Sequence, residues 1–312
     1  MIRKYSHHII LSLMLGTLTF FYASASAHPF ENSRKTYVDN LSIHYRYWGH
    51  PEASDKPSVI LVHGFGGSSY SWVQVADSLN QLGYEVIAID MPPFGFSDKS
   101  PRTNQSVTAH VLRLHQFIHH AFPGRKWHLA GHSMGGAIAQ AYALTYPFDL
   151  VSVSFIAPAL FRSLQPSEHP GNKMLRLSPL RFIMGEFAEE WVIRPAVVER
   201  MLTSAYGQAP DKEQVRAYWL PLKVPGTARA ILSAASYHEE LNTLHARDLP
   251  MPSTAIWGLE DAWVSYQQRK HILEMMPSTR LVLLEGVGHN PMETHFEQFM
   301  EAWLPFILNS AN

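Results

Sequence analysis

The 312-residue chain contains no cysteine. That excludes thiol nucleophiles, disulfide staples and cysteine-ligated zinc, and it leaves the redox compartment open. An excess of one charge is missing too: 25 lysines and arginines stand against 26 aspartates and glutamates, with no Lys/Arg-rich run. Without a basic patch there is no electrostatic footprint for nucleic acid, and no such partner is expected. The chain has no internal repeat and no low-complexity tract. It also lacks an apolar run of full membrane-spanning length. The nearest approach is Ile9 to Tyr22, which follows Arg3 and Lys4 and precedes Ala25-Ser26-Ala27. A basic start, a short apolar stretch and a small-residue cleavage site mark residues 1–27 as a secretory signal peptide, cut to leave His28 first. The expectation is an exported chain, periplasmic or secreted. An uncleaved N-terminal membrane anchor is the alternative.

What is present is apolar residue, 46% of the chain, ample for a large buried core. The length fits one α/β domain with an insertion. Alternating segments from Thr36 to Trp48 flank Asp39-Asn40 and predict a hairpin. Ser58–Val62 and Glu85–Asp90 are short continuous apolar runs, the pattern of strands buried on both faces. Helices are predicted around Tyr70 to Leu82 and Gln105 to Ala121. Val151–Ile156, Thr254–Trp257 and Leu281–Leu284 complete the strand series. Strands alternating with helices imply a mostly parallel sheet covered on both sides. Residues 158–250 break this rhythm with many prolines and no buried-strand run. They read as a helical cap between a first core segment, 28–157, and a second, 251–312. Its large apolar residues are expected to pack on the core, some lining a pocket, with Met174, Phe182, Phe187, Trp191 and Trp219 shaping what fits.

The most informative segment is Trp127-His128-Leu129-Ala130-Gly131-His132-Ser133-Met134-Gly135-Gly136. An apolar strand turns abruptly at Gly-His-Ser-Met-Gly and runs into a helix, the strand–turn–helix context of a G-x-S-x-G nucleophile elbow. A serine hydroxyl is a weak nucleophile at neutral pH, so it needs a base and oxyanion donors beside it.

Eighteen histidines compete for the role of base, and a histidine alone means little. His289 stands out because the strand Leu281–Leu284 leads into Gly286-Val287-Gly288-His289-Asn290-Pro291, a loop at a carboxyl end of the sheet. The orienting carboxylate belongs on the loop after Thr254–Trp257, where Asp261 is chosen and Glu260 is its nearest rival. The order Ser133, Asp261, His289 is the one this elbow type requires. Backbone N–H groups of Met134 and Phe65, the latter in His63-Gly64-Phe65-Gly66-Gly67, are the candidate oxyanion donors. His132 reads as a packing or hydrogen-bonding neighbour, His63 as a brace for its loop, and Asp90 as an anchor for the loop to Asp98. His289 and His295 are six apart, the wrong spacing for two ligands on one helical face. Neither metal nor cofactor is expected.

These stretches, in this order over the whole mature length, resemble the α/β-hydrolase-fold serine hydrolases. The resemblance implies an eight-stranded, mostly parallel sheet with a helical cap between the sixth and seventh strands. Pro93 departs from it, standing where a glycine is usual. Because the nucleophile position is serine, aspartate-nucleophile dehalogenases and epoxide hydrolases fit less well. Exported bacterial lipases and carboxylesterases are the nearest resemblance. It implies cleavage of small-molecule or lipid esters through an acyl-enzyme, with transient lipid-surface contact through the cap. A carbon–carbon bond hydrolase acting on a vinylogous diketone with the same three residues is the alternative. His132 and Asn290 stand where those enzymes commonly carry asparagine and tryptophan. A non-catalytic binding protein on the same scaffold is a third reading.

Overall fold

The computed structural model describes residues 29–49, 56–159, 178–235 and 249–310. The signal peptide expected over residues 1–27, and Met174 of the expected cap, lie outside them. Two compact units divide the chain, Met1–Ser33 and Arg34–Asn312, and everything that follows except Ser33 itself lies in the second.

An opening hairpin joins β1 (Ser33–Val38) to β2 (Leu41–Trp48). Asp39 and Asn40 both have positive φ, 52° and 58°, which is what a two-residue turn between twisted strands demands. The strands β3 (Ser58–Val62), β4 (Val86–Ile89), β5 (Trp127–His132), β6 (Leu150–Ile156), β7 (Ser253–Gly258) and β8 (Arg280–Leu284) follow. The sheet order is β1-β2-β4-β3-β5-β6-β7-β8. β2 runs antiparallel to β4, and the pairings from β4 through β8 are parallel.

The continuous apolar strands are explained by their two faces. On β3, Ile60 and Val62 enter one core, while Val59 and Leu61 enter the other. The first core is closed by α2 (Val107–Ala121) and α3 (Met134–Thr145), through Leu114, Phe117 and Ile138 among others. The second is closed by α1 (Val73–Gln81) and the C-terminal helix (Phe296–Ser310), through Val75, Leu79, Phe299 and Trp303. Each such side chain contributes about 1.5–3 kcal/mol on burial. α2 begins later than the sequence pattern suggests, at Val107, because the Ser106 side chain accepts from the Ala109 N–H and caps it there.

The described residues between β6 and β7 form helices: α4 (Ser178–Phe187), a π-helical turn (Ala188–Val192), α5 (Pro195–Tyr206), α6 (Lys212–Leu222) and α7 (Thr227–Ala235). Val198, Leu202, Ala205, Tyr206 and Tyr218 form a small core of their own. Phe182, Phe187 and Trp191 depart from the expectation of packing, since they are 53%, 60% and 58% exposed. α4 and the turn after it present these large side chains outward. After β8 come α9 (Pro291–Thr294) and α10 (Phe296–Ser310), while α8 (Arg269–Met275) precedes β8. Among the described residues no helix is long and apolar enough to cross a membrane.

Candidate active site

β5 ends at His132 and α3 begins at Met134, so Ser133 makes the turn alone. It does so at φ 51° and ψ −115°, a strained conformation for a residue with a Cβ. Its amide N–H donates to the Ile156 carbonyl at 3.0 Å, which pins the turn to β6. Two glycines make the approach physically available. A Cβ on Gly131 would stand 2.0 Å from the Gly135 carbonyl oxygen, and one on Gly135 would stand 2.3 Å from the Val62 carbonyl oxygen. The serine therefore sits at the amino end of α3, where the first N–H groups, that of Met134 included, have no intrahelical acceptor.

The imidazole comes from the loop after β8. His289 Nδ1 lies 2.8 Å from Asp261 Oδ2. The other carboxylate oxygen, Oδ1, accepts from the Trp263 and Val264 N–H groups, both at 2.8 Å. Asp261 is thus held on both sides, and the bond fixes which ring nitrogen of His289 faces away from it. Trp263 also stacks on the ring, with 5.6 Å between centroids and 28° between planes. Glu260, the rival acid, is exposed to solvent, and its backbone bonds Val287 instead.

Ser133 and His289 line one cavity together with Phe65, Tyr218 and Trp263. Phe65 lies in the turn closed by the Gly67 N–H to Gly64 carbonyl bond. Gly64 is pressed against the elbow: an added Cβ would be 3.1 Å from Ser133 Cβ. The Phe65 ring is half exposed and meets Phe94 edge-on at 4.9 Å.

The neighbours expected to be structural are bonded accordingly. His132 Nε2 donates to the His289 carbonyl at 2.8 Å. Burial, then the nearby His289, drives its pKa well below the ordinary value. His63 Nδ1 donates to the Gly64 carbonyl, and its Nε2 accepts from the Met91 N–H. Asp90 accepts from the Ser69 and Phe96 N–H groups and bonds His44 Nδ1 at 2.7 Å. Burial alone would raise its pKa, but the His44 and Phe96 hydrogen bonds and the histidine charges outweigh it and hold the carboxyl far below its usual range. Pro93, the departure noted in the sequence, follows Pro92 through a cis peptide bond.

Sequence reasoning missed a second polar group beside the cavity. Glu293 accepts from Tyr206 OH at 2.8 Å, Tyr218 OH at 2.7 Å and Asn290 Nδ2 at 2.8 Å. Tyr218 OH also lies 2.9 Å from Ser71 Oγ. Two tyrosines of α5 and α6 are thereby joined to the loop that carries His289. The two tyrosine donors lie 87 and 75 residues before Glu293 and leave no local pattern to read.

The model of the family described as alpha/beta hydrolase fold matches residues 57–177. "Lipase 3" of Moraxella sp. (strain TA144) is 26% identical over 241 residues, covering 75% of this chain and 72% of that protein. Monoacylglycerol lipase ABHD6 of Homo sapiens is 25% identical over 267 residues, covering 82% and 76%. Among solved structures, that of a membrane phospholipase A, a bacterial virulence factor, superposes with a TM-score of 0.68 at 25% identity, covering 96% of this chain and 97% of that one.

Proposed function

The chain has the α/β-hydrolase fold and resembles bacterial lipases, and on that footing we propose that it is a serine hydrolase of carboxylic esters, acting on small-molecule or lipid esters. The observation that carries the reading is the 2.8 Å bond from His289 Nδ1 to Asp261, with the strained Ser133 in the same cavity.

Ser133 Oγ attacks the ester carbonyl carbon while His289 Nε2 takes its proton. Asp261 holds the tautomer and the ring orientation, and stabilises the imidazolium that forms. The N–H groups of Met134 and Phe65 bind the oxyanion. Collapse of the tetrahedral intermediate expels the alcohol, which takes the proton from His289, and leaves an acyl group on Ser133. Water, deprotonated by the same imidazole, then releases the carboxylic acid. Residues 158–250 act as the cap over this site, and residues 1–27 direct export. N-terminal sequencing of the mature protein should therefore begin at His28.

The test is turnover of p-nitrophenyl acyl esters by the wild type and Ser133→Ala. Loss of roughly 10⁴ to 10⁶ in kcat with fold intact is expected. Undiminished turnover in the variant would remove Ser133 from the mechanism. Parallel assay of a vinylogous diketone separates ester from carbon–carbon cleavage.

A further inference from the structure

A polar cluster at the amino ends of the strands, opposite the site, takes no part in this chemistry. His115 and His119 are four residues apart on α2, so their rings lie on one helical face. Both reach Asp149, in the 3-10 turn Pro147–Asp149 that leads into β6. His115 Nδ1 is 3.0 Å and His119 Nε2 3.2 Å from Asp149 Oδ2, and the three atoms all lie within 4.8 Å of one another.

We propose that His115, His119 and Asp149 form a binding site for a divalent transition metal ion, with Zn²⁺ as its probe. Two imidazoles and one carboxylate are a donor set such borderline cations take. The spacing suits it as well. Ligand atoms about 2.0–2.1 Å from a tetrahedral zinc stand about 3.3 Å apart, and two of the three edges here measure 3.0 and 3.2 Å. Small side-chain rotations open the centre without moving the backbone. His119 is half exposed, so the ion has a path from solvent, and water can complete the coordination.

The surroundings hold the ligands in place. Tyr142 OH donates to Asp149 Oδ2 at 2.6 Å, and Tyr146 stacks on His115 with 3.8 Å between centroids and 8° between planes. Such outer partners fix ligand orientation in metal sites. When the ion binds, both imidazole hydrogens that point at Oδ2 leave to solvent as protons, and each ring keeps or regains one on its other nitrogen. The freed nitrogen lone pairs and the carboxylate oxygen then bond the metal, and nothing is oxidised or reduced.

Asp149 precedes β6 and Ser133 follows the parallel β5, so about 20 Å of strand separates them. The ion clamps α2 to the turn before β6 and does not reach the reacting atoms. The sequence expectation of no metal considered His289 with His295, and it passed over this pair because the third donor lies thirty residues further on.

The experiment titrates ZnCl₂ into the untagged, chelator-stripped full chain by calorimetry, beside His119→Gln, Asp149→Asn and His120→Gln. One equivalent binding with micromolar order affinity is expected for the wild type and for His120→Gln. Binding at least about tenfold weaker is expected for the other two variants, with the zinc-dependent rise in Tm lost. His119 is exposed enough for its variant to fold, which circular dichroism checks. Absence of zinc binding in the wild type, or equal binding in a folded His119→Gln, overturns the site.

Discussion

The backbone N–H of His289 donates to the carbonyl of Ala205 at 2.8 Å, so the candidate base is tied directly to the last turn of α5. The residue before it permits this: a Cβ on Gly288 would stand 2.8 Å from both the Ala205 and Tyr206 carbonyl oxygens. The helix end and the histidine loop are thus set by each other.

Gly288→Ala should therefore displace one of them. A shift of about 1 Å in a reacting group costs on the order of 10²-fold in rate. The expected result is a fall of that size in kcat on a p-nitrophenyl ester, with the far-UV spectrum unchanged. Wild-type turnover would show that the loop absorbs the methyl group without moving the imidazole.

Asp261→Asn should lower kcat by about 10⁴, because an amide facing Nδ1 favours the wrong tautomer. Glu260→Gln, at an exposed position, should leave kcat within about twofold of the wild type. Steady-state kinetics on the two variants separates the candidate acids, and a larger loss in the glutamine variant would reverse the choice.

Glu293 is the junction of Tyr206, Tyr218 and Asn290. Glu293→Ala leaves those donors without their acceptor, at about 1–3 kcal/mol for each one kept from water. Its charge matters as well. Burial raises its pKa above the ordinary 4.5, only partly offset by hydrogen bonds from Tyr218, Asn290 and Tyr206. A carboxyl that binds its proton more tightly in the folded chain favours folding below the unfolded pKa, and this contribution is lost as pH rises through the folded value. Denaturant midpoints followed upward from pH 4 should fall more steeply in the wild type than in Glu293→Gln. Parallel curves would remove the carboxyl from that balance.

Asp90 has the opposite sign. Its folded pKa lies far below the ordinary 3.8, so its contribution is present above that value and is lost as pH falls towards the folded one. Asp90→Asn breaks a buried, hydrogen-bonded carboxylate and should cost about 3–5 kcal/mol near neutrality. The difference from wild type should narrow in acid, as read from urea unfolding at pH 7 and pH 3.

The sheet was legible because β3 and β4 are buried on both faces and leave nearly continuous apolar runs. The elbow was legible because Gly131 and Gly135 leave space for backbone, a requirement written into single residues. Asp261 could be preferred to Glu260 only by its place in an expected order, since neighbouring acids on one loop look alike in sequence. The geometry separates them, with one facing His289 and the other facing water. Glu293 and Asp149 were not legible, because their partners arrive from distant helices. The exposed Phe182, Phe187 and Trp191 were misread for a related reason: an apolar residue in a helix does not say which way the helix faces.

The turn at Ser133 also makes the chain a gauge of its own integrity. Its φ of 51° persists only while β6, α3 and the two glycine contacts hold it. An unfolded or loosened chain relaxes that residue to an ordinary serine long before its helices have melted. Along a denaturant series, ester turnover should fade ahead of the helical signal, and the gap between the two curves would measure how far the packing around one residue has given way.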